Sequence, residues 1–188
     1  MVKCLIVSSL DKSQHALSSL LKEVEVDECV CANSSGEARR ILNNQKFDLV
    51  LINTPLSDEF GHDLSVFIYE STTSGIVMLV KNQLLGEVSD KLNQIGVMCI
   101  GKPLDRSIFI QSIKLALVTT KRLNNLQNEN VRMHEKVDEL KLISRAKFIL
   151  MDYLNMSESD AHHYIEKKAM DNRISKIAAA KEILKTYE

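Results

Sequence analysis

Residues 48–53 read DLVLIN, and this run determines the architecture of the first part of the chain. Its LVLI centre is apolar without alternation, which is typical of a strand buried on both faces, as in a parallel sheet with helices above and below it. Runs of the same kind are KCLIVS (3–8), GIVMLV (75–80) and VMCIG (97–101), with a shorter one, VCA, near residue 30. The sequence therefore predicts five strands of one buried parallel sheet.

Amphipathic stretches of helical length lie between these runs, at 13–24, 35–44, 61–70 and near 84–93. A fifth helix is predicted after Lys102-Pro103, where the strand pattern ends. Alternating strands and helices predict a doubly wound α/β domain over residues 1–120. In such a domain the loops after the carboxyl ends of the strands carry the functional residues.

The composition is that of a soluble globular protein of 188 residues, with 24 Lys and Arg, 25 Asp and Glu and 45% apolar residues. Residues 1–120 carry 11 basic and 14 acidic side chains, whereas residues 141–188 carry 9 and 7. The basic tail slightly favours a polyanionic partner. No apolar run reaches the roughly 18 residues of a membrane span, and the apolar N-terminus is too short for a signal peptide, so we expect a cytoplasmic protein without membrane contact.

The cysteines and histidines give no pattern typical of a metal site. We expect buried, reduced thiols in the predicted strands at Cys4, Cys29, Cys31 and Cys99, because paired C-x-x-C spacing is missing. His162 and His163 are adjacent, so on a helix their side chains diverge. No carboxylate pair, Cys/His couple or glycine-rich phosphate loop is visible either. We therefore expect neither an enzyme nor a bound metal or cofactor.

A long helix is predicted next, because neither Gly nor Pro occurs between Asp105 and Tyr153. Within residues 121–141 a seam repeats in alternating steps of three and four, which is the heptad pattern of a coiled coil. The seam consists of Leu123, Leu126, Asn130, Met133, Val137 and Leu140. The single seam Asn favours a parallel, in-register homodimer. The alternative is a surface helix that packs against the α/β domain, since the pattern covers fewer than three heptads.

Residues 142–188 are predicted to form a small domain of three helices. The first continues the coil, and NMS (155–157) interrupts it. Ser157 is the predicted N-cap of the second helix, and the third runs from about Ser175 to Tyr187. So short a bundle has a small core.

The α/β domain resembles a bacterial two-component receiver domain, through DLVLINTPLSD (48–58) and GKP (101–103). This resemblance implies a flavodoxin-like, doubly wound fold and a phosphorylation site. The acidic pair of the family falls on Ser8 and Ser9, and the phospho-accepting Asp falls on Asn53. The hydroxyl residue falls on Val80, the aromatic switch residue falls on Cys99, and the family's Lys is retained as Lys102.

These replacements predict a pseudo-receiver that is not phosphorylated. An amide such as that of Asn53 is no nucleophile, and the serines cannot supply the carboxylates that usually hold Mg²⁺. Asp11 and Asp58 lie too far from the replaced positions to restore the site. The expected role of the domain is dimerisation or the binding of a protein or ligand partner.

The tail is similar to the ANTAR domain of antiterminator regulators, through RAKFILM (145–151), YIEKKAMDNRIS (164–175) and AKEIL (180–184). The chain departs from the family pattern at Phe148, where Gly is common, and at AAA (178–180). The resemblance implies a dimeric transcription antiterminator that binds paired hairpins in an mRNA leader and prevents a terminator from forming. Loop bases and phosphates are the expected contacts.

The candidate RNA-binding side chains are basic or hydroxylated and lie along the three helices. They are Arg145, Lys147, Lys167, Lys168, Arg173, Ser175 and Lys176. Four other residues that match the family are expected to pack in the core, namely Ala146, Ala161, Met170 and Ala180. The alternatives are a protein-interaction scaffold and an atypical DNA-binding response regulator, although the tail has no basic recognition helix followed by a Gly-containing turn.

Overall fold

The computed structural model describes residues 1–187 and contains one five-stranded sheet. All its strand pairs are parallel, and the strand order is β2-β1-β3-β4-β5. The strands are β1 (Lys3–Ser8), β2 (Glu28–Ala32), β3 (Leu49–Asn53), β4 (Gly75–Lys81) and β5 (Met98–Lys102). From β1 the chain adds β2 on one side and then β3, β4 and β5 on the other side. This change in the order of the strands is the doubly wound arrangement predicted from the sequence.

Seven α-helices are formed within the described residues, together with a short 3-10 turn at Asn93–Ile95. Helices of the first part are α1 (Asp11–Lys22), α2 (Ser35–Asn44), α3 (His62–Ser71) and α4 (Asn82–Leu92). They are followed by α5 (Arg106–Leu154), α6 (Glu158–Asp171) and α7 (Lys176–Tyr187). The 49 residues of α5 confirm the predicted long helix.

Two apolar cores cover the two faces of the sheet. On one face Val50 and Ile52 pack in a cluster with residues of α2, α3 and α4. On the other face Leu51 packs in a cluster with residues of α1 and with Phe109 and Ile113 of α5. Alternate residues of β3 therefore enter opposite cores, which is why the LVLI centre of the run has no polar position.

The chain divides into two compact units, Met1–Asn125 and Leu126–Glu188, and α5 contributes to both. This division falls inside the segment 121–141, whose role as a separate linker stays a prediction. The second unit has its own core, in which the end of α5 meets α6 and α7. Its fully buried members include Ala146, Leu150, Ala161, Ile165, Ala179, Ala180 and Ile183.

Side-chain caps begin both short helices of the second unit. Ser157 Oγ accepts a hydrogen bond from the backbone N–H of Asp160 at 3.2 Å, which confirms the predicted N-cap of α6. Ser175 Oγ accepts one from the N–H of Ala178 at 3.1 Å at the start of α7. Each cap satisfies a helical N–H that would otherwise lack a partner.

The expectation of four buried thiols is wrong for three of the cysteines. Cys4 on the central strand β1 is buried, Cys29 and Cys99 are half-buried, and Cys31 is exposed. Cys29 and Cys31 lie on β2, which is an edge strand and is covered less completely than the centre of the sheet. The pKa of each thiol is raised by burial. This direction disfavours the reactive thiolate.

Met170 is a second correction. It was expected to pack in the core, but 77% of its surface is exposed. It lies at the end of α6 on the side opposite the core, where the chain turns towards α7. Within residues 1–187 no helix combines the length and the apolar character needed to cross a membrane.

Candidate receiver site and nucleic-acid interface

The ends of three strands bring Ser8, Asn53 and Lys102 together. The register places Ser8 beside Asn53, and the Asn53 Nδ2 donates a hydrogen bond to Ser8 Oγ at 3.0 Å. The Lys102 Nζ donates to Asn53 Oδ1 at 3.0 Å and also to the carbonyl of Thr54. The amide of Asn53 thus links a hydroxyl on one side to an ammonium on the other.

Gln14 closes this cluster from α1. Its Nε2 donates to the carbonyl of Ser8 at 2.8 Å and to Asn33 Oδ1 at 2.7 Å. Both Gln14 and Ser8 are buried. The pKa of Lys102 is lowered by burial and, to a lesser extent, by the charge of Lys81. The immediate partners of this lysine are neutral, because an amide and a carbonyl oxygen receive its hydrogen bonds.

The other replaced receiver positions do not join the cluster. Ser9 is exposed, and its Oγ lies 3.5 Å from the carbonyl oxygen of Pro55. Val80 is fully buried in the core. Cys99 is half-buried against the same core, so it does not supply the aromatic side chain of the family pattern.

Sequence reasoning missed two polar residues of this site, Thr54 and Gln14. Thr54 is buried, and its Oγ1 donates to the carbonyl of Leu79 at 2.9 Å. Thr54 follows Asn53 directly, so its position could have been read as part of the loop after β3. Gln14 gave no signal, because its role depends on how α1 packs on the sheet.

Asp58 has a structural role at the start of α2. Its carboxylate accepts hydrogen bonds from the backbone N–H groups of Ser35 and Gly36, both at 2.9 Å. Desolvation opposes ionisation, but the hydrogen bonds from Gly36 and Ser35 prevail and lower the pKa of Asp58. The carboxylate therefore stabilises the start of α2 and does not belong to the Asn53 cluster.

The predicted seam of α5 is open to solvent in the single chain. The apolar seam side chains are between 48% and 64% exposed, and Asn130 is exposed as well. Solvent-exposed apolar residues in such a row are unusual on a monomer surface. The apolar members are Leu123, Leu126, Met133, Val137 and Leu140.

Three of the predicted RNA-binding lysines form ion pairs within the second unit. Lys147 Nζ lies 2.6 Å from a carboxylate oxygen of Glu158, and Lys168 Nζ lies 3.4 Å from one of Glu182. Lys176 Nζ lies 2.5 Å from a carboxylate oxygen of Glu166. These lysines link different helices of the bundle, so their ammonium groups already have carboxylate partners within the fold.

Glu166 is the centre of a wider charged group. His162 Nε2 lies 3.3 Å and His163 Nδ1 lies 3.7 Å from its carboxylate oxygens. The hydrogen bond and charge of Lys176 lower the pKa of Glu166. Lys147 lowers the pKa of Glu158 in the same way.

Lys167 and Arg173 are exposed and form no ion pair with another residue in the described part of the chain, 1–187. Arg173 lies in the turn between α6 and α7 and has a φ of +52°. Its N–H donates to the carbonyl of Met170 at 3.1 Å, and the N–H of Ile174 donates to that of Ala169 at 2.9 Å. This pair of bonds is the Schellman motif, whose left-handed position is usually Gly.

The turn therefore presents a cation from a backbone conformation that is unfavourable for Arg. Ser175, the cap of α7, follows Arg173 two residues later, and the exposed Met170 precedes Arg173 by three residues. Lys167 lies about one helical turn before Met170 on α6. Arg145 is exposed on α5. Sequence reasoning found the cations at this turn but missed the exposure of Met170, for which the sequence gave no signal.

The first unit matches solved receiver structures. A two-component response regulator from Clostridium difficile is 27% identical, with a TM-score of 0.54, and the match covers 62% of this chain and 96% of that chain. The signal receiver domain of an HD domain-containing protein from Pseudomonas fluorescens Pf-5 gives a TM-score of 0.59 at 19% identity, over 66% of this chain and 92% of that chain. The second likeness supports the fold alone.

The second unit matches the model of the ANTAR domain over residues 131–184. Transcriptional regulatory protein PdtaR of Mycobacterium tuberculosis (strain CDC 1551 / Oshkosh) is 27% identical over 171 residues, which cover 90% of this chain and 83% of that protein. Residues 131–184 thus match the ANTAR domain, and the chain is similar over most of its length to a transcriptional regulatory protein. The ANTAR segment includes every candidate RNA-binding residue and the part of the seam from Met133 onward. The family is a regulatory class and not a known class of enzyme.

Proposed function

We propose that this ANTAR response regulator binds paired RNA hairpins in an mRNA leader as a dimer and acts as a transcription antiterminator. The observation that carries the proposal is the exposed cationic turn between α6 and α7, in which Arg173 occupies a position that favours Gly. A residue held in an unfavourable backbone conformation is a candidate for function. The membership of the second unit in the ANTAR family supports the same conclusion.

The candidate RNA contacts fall into two groups. Lys167 and Arg173 are the first choice for phosphate or base contacts, because an exposed cation without an intramolecular partner can bind RNA at little cost to the fold. Lys147, Lys168 and Lys176 would have to leave or share their carboxylate partners. Ser175 would contribute through its hydroxyl and Arg145 through its guanidinium.

Dimerisation would let the small ANTAR domain bind its RNA target with high affinity. Two copies held by a parallel coil along the seam of α5 would present two cationic turns to two hairpins. Binding of one ANTAR domain to the first hairpin then raises the effective concentration of the other ANTAR domain at the second hairpin. Asn130 would set the register by pairing with its own copy.

The receiver unit would act without phosphorylation. Asn53 offers an amide in place of a nucleophile, and Ser8 and Ser9 offer hydroxyls in place of carboxylates. Lys102 is held by neutral oxygen atoms, so the cluster already has its hydrogen bonds satisfied. The unit is then a docking or sensing module for a protein or ligand partner.

A salt titration with a two-hairpin leader RNA tests the proposal. If about four phosphates are neutralised, the affinity should fall roughly 50-fold between 50 and 200 mM salt. Absence of RNA binding at low salt, together with binding of protein partners, would favour a protein-interaction scaffold. Equal affinity for duplex DNA would favour the DNA-binding alternative.

Variants test the cationic turn itself. Lys167→Ala combined with Arg173→Ala should weaken RNA binding at least 10-fold, because each charged hydrogen bond to phosphate contributes about 1.5–3 kcal/mol. The matched control is Lys185→Ala, which removes an exposed lysine from the last turn of α7. The double variant with unchanged affinity would contradict the proposed contact surface.

A further inference from the structure

The carboxylate of Glu166 contacts three basic side chains from two helices. The Lys176 Nζ of α7 lies 2.5 Å from Glu166 Oε1, and the His162 Nε2 of α6 lies 3.3 Å from the same oxygen atom. The His163 Nδ1 lies 3.7 Å from the other oxygen atom, Oε2. Together these four residues form the Glu166 group. Lys176 and His162 share one acceptor atom in it, and the lysine is the nearer of the two.

The helical spacing of α6 keeps both histidines beside the carboxylate. His162 precedes Glu166 by four residues and His163 precedes it by three, so the three side chains are neighbours on one surface of the helix. The side chains of His162 and His163 are 48% and 75% exposed, whereas that of Glu166 is 32% exposed. Solvent therefore reaches both imidazoles, and their protonation follows the pH of the solution.

Lys176 is the first residue of α7, where a cation is unfavourable. The unpaired N–H groups and the helix dipole make this end of a helix positive, so that it favours an anion. Glu166 supplies an anion from α6 and compensates the charge of Lys176 at the same time. A phosphate group also binds well at the N-terminus of a helix. Glu166 and a phosphate of RNA would therefore compete for Lys176.

The histidines determine how many cations the carboxylate of Glu166 has to compensate. Histidine is the side chain whose charge ordinarily changes between pH 5 and 8. Protonation of His162 and His163 adds two cations to a group that contains one carboxylate. The pKa of Glu166 is lowered first by Lys176 and, to a smaller extent, by the charges of the two histidines. Protonated imidazoles can thus compensate Glu166 in place of the lysine.

Two further charged residues lie near His162 on the side of α5. Glu158 precedes it by four residues on α6, and a carboxylate oxygen of Glu158 lies 2.6 Å from Lys147 Nζ of α5. The pKa of Glu158 is lowered mainly by Lys147 and least by the charge of His162. His162 therefore lies between two carboxylates that bind lysines. Its protonation weakens the hold of Glu158 on Lys147 in the same direction as that of Glu166 on Lys176.

We propose that protonation of His162 and His163 releases Lys176 from Glu166, so that the second unit binds RNA more tightly at pH 6 than at pH 8. The inference rests on the RNA binding proposed above and assigns a regulator to one of its contacts. The released lysine binds a phosphate beside Arg173, which lies three residues earlier in the cationic turn. By linkage, RNA that binds Lys176 also favours protonation of the two histidines.

Titrations of the full chain with a two-hairpin leader RNA at pH 6, 7 and 8, at one ionic strength, test the inference. We expect the dissociation constant to be about 5-fold lower at pH 6 than at pH 8. One charged hydrogen bond to phosphate contributes about 10-fold, and the histidines are incompletely protonated at pH 6. His162→Gln combined with His163→Gln should match the wild type at pH 8 and respond little to pH.

The matched control is His134→Gln. His134 is an exposed histidine of α5, and its Nδ1 lies 2.9 Å from the carbonyl oxygen of Asn130. It is not a member of the Glu166 group, so this variant should retain the pH dependence of the wild type. Circular dichroism at pH 6 and 8 checks that each variant keeps its helices.

Two more variants separate the release of Lys176 from direct contact of the histidines with RNA. Lys176→Gln should lose the pH dependence, because the cation that is released is missing. Glu166→Gln should bind RNA more tightly than the wild type at pH 8 and equally well at pH 6, because a neutral amide does not compensate the lysine.

Each contrary outcome overturns a different part of the inference. Equal affinity of the wild type at pH 6 and 8 refutes the coupling but leaves RNA binding intact. Wild-type pH dependence in the double histidine variant refutes the role of the histidines. A pH dependence that persists in Lys176→Gln refutes the release of the lysine and assigns the histidines to RNA. Absence of RNA binding at every pH refutes the proposed function itself.

Discussion

The Lys102 Nζ donates a hydrogen bond to Asn53 Oδ1 at 3.0 Å, while the Asn53 Nδ2 donates to Ser8 Oγ at 3.0 Å. The amide orientation is therefore consistent with both neighbours, since its oxygen meets the ammonium and its nitrogen meets the hydroxyl. A carboxylate in place of Asn53 would satisfy Lys102 but could not donate to Ser8. Asn53 thus matches a site that has an ammonium on one side and a hydroxyl on the other.

Small-molecule phosphodonors should leave the wild-type chain unmodified, and Asn53→Asp should be unmodified as well. The variant restores a carboxylate but not the Mg²⁺ ligands, because Ser8 and Ser9 remain uncharged. Intact-mass and peptide mass spectrometry measure the outcome, with an ordinary receiver protein as the positive control. Phosphorylation of the peptide that contains Asn53 in the wild-type chain would overturn the pseudo-receiver proposal.

Arg173→Gly should stabilise the second unit while it weakens RNA binding. Gly removes the strain of a left-handed residue at φ +52°, which amounts to about 1 kcal/mol. Urea unfolding measures the first effect, and RNA titration measures the second. Arg173→Ala is the control, since it removes the same charge but keeps the strained conformation. A glycine variant with unchanged RNA affinity would show that the turn is purely structural.

Asn130→Ile should alter the oligomeric state or the register of the coil. A seam Asn favours two parallel strands at some cost in stability, and Ile removes that restriction. Analytical ultracentrifugation would detect species larger than a dimer or a tighter dimer. Val131→Ile, next to the seam but outside it, should behave as wild type. A dimer unaffected by Asn130→Ile would argue against the coil.

The second unit should lose stability in acid as Glu158 and Glu166 become protonated. Their pKa values are lowered from 4.5 in the folded chain, mainly by hydrogen bonds from Lys147 and Lys176. A lowered folded pKa stabilises the fold above the unfolded value, and this contribution is lost as the pH falls through the folded pKa. Thermal unfolding of Glu166→Gln between pH 3 and 7 should depend less on pH than that of the wild type. An unchanged pH profile would contradict the role assigned to this ion pair.

The secondary structure followed closely from local sequence patterns. The run at 48–53 became β3 at Leu49–Asn53, and the stretch without Gly or Pro became α5. Ser157 was identified as an N-cap because capping depends on neighbouring residues alone. Such features need no knowledge of how distant elements pack.

Features that depend on tertiary placement were predicted less well. Cys31 has apolar neighbours, but its strand lies at the edge of the sheet, so the side chain is exposed. Lys168 and Glu182 come from different helices, and their ion pair could not be inferred from spacing along one helix. The same is true of Gln14, which reaches Ser8 only after α1 packs on the sheet.

The stoichiometry and affinity of the complex with RNA test the central claim most directly. Native mass spectrometry of the full chain with a two-hairpin leader RNA should give two protein chains per RNA. Deletion of one hairpin should weaken binding about 100-fold or more, because the second ANTAR domain of the dimer then has no hairpin to bind. One chain per RNA, or equal affinity for RNAs with one and two hairpins, would contradict the account.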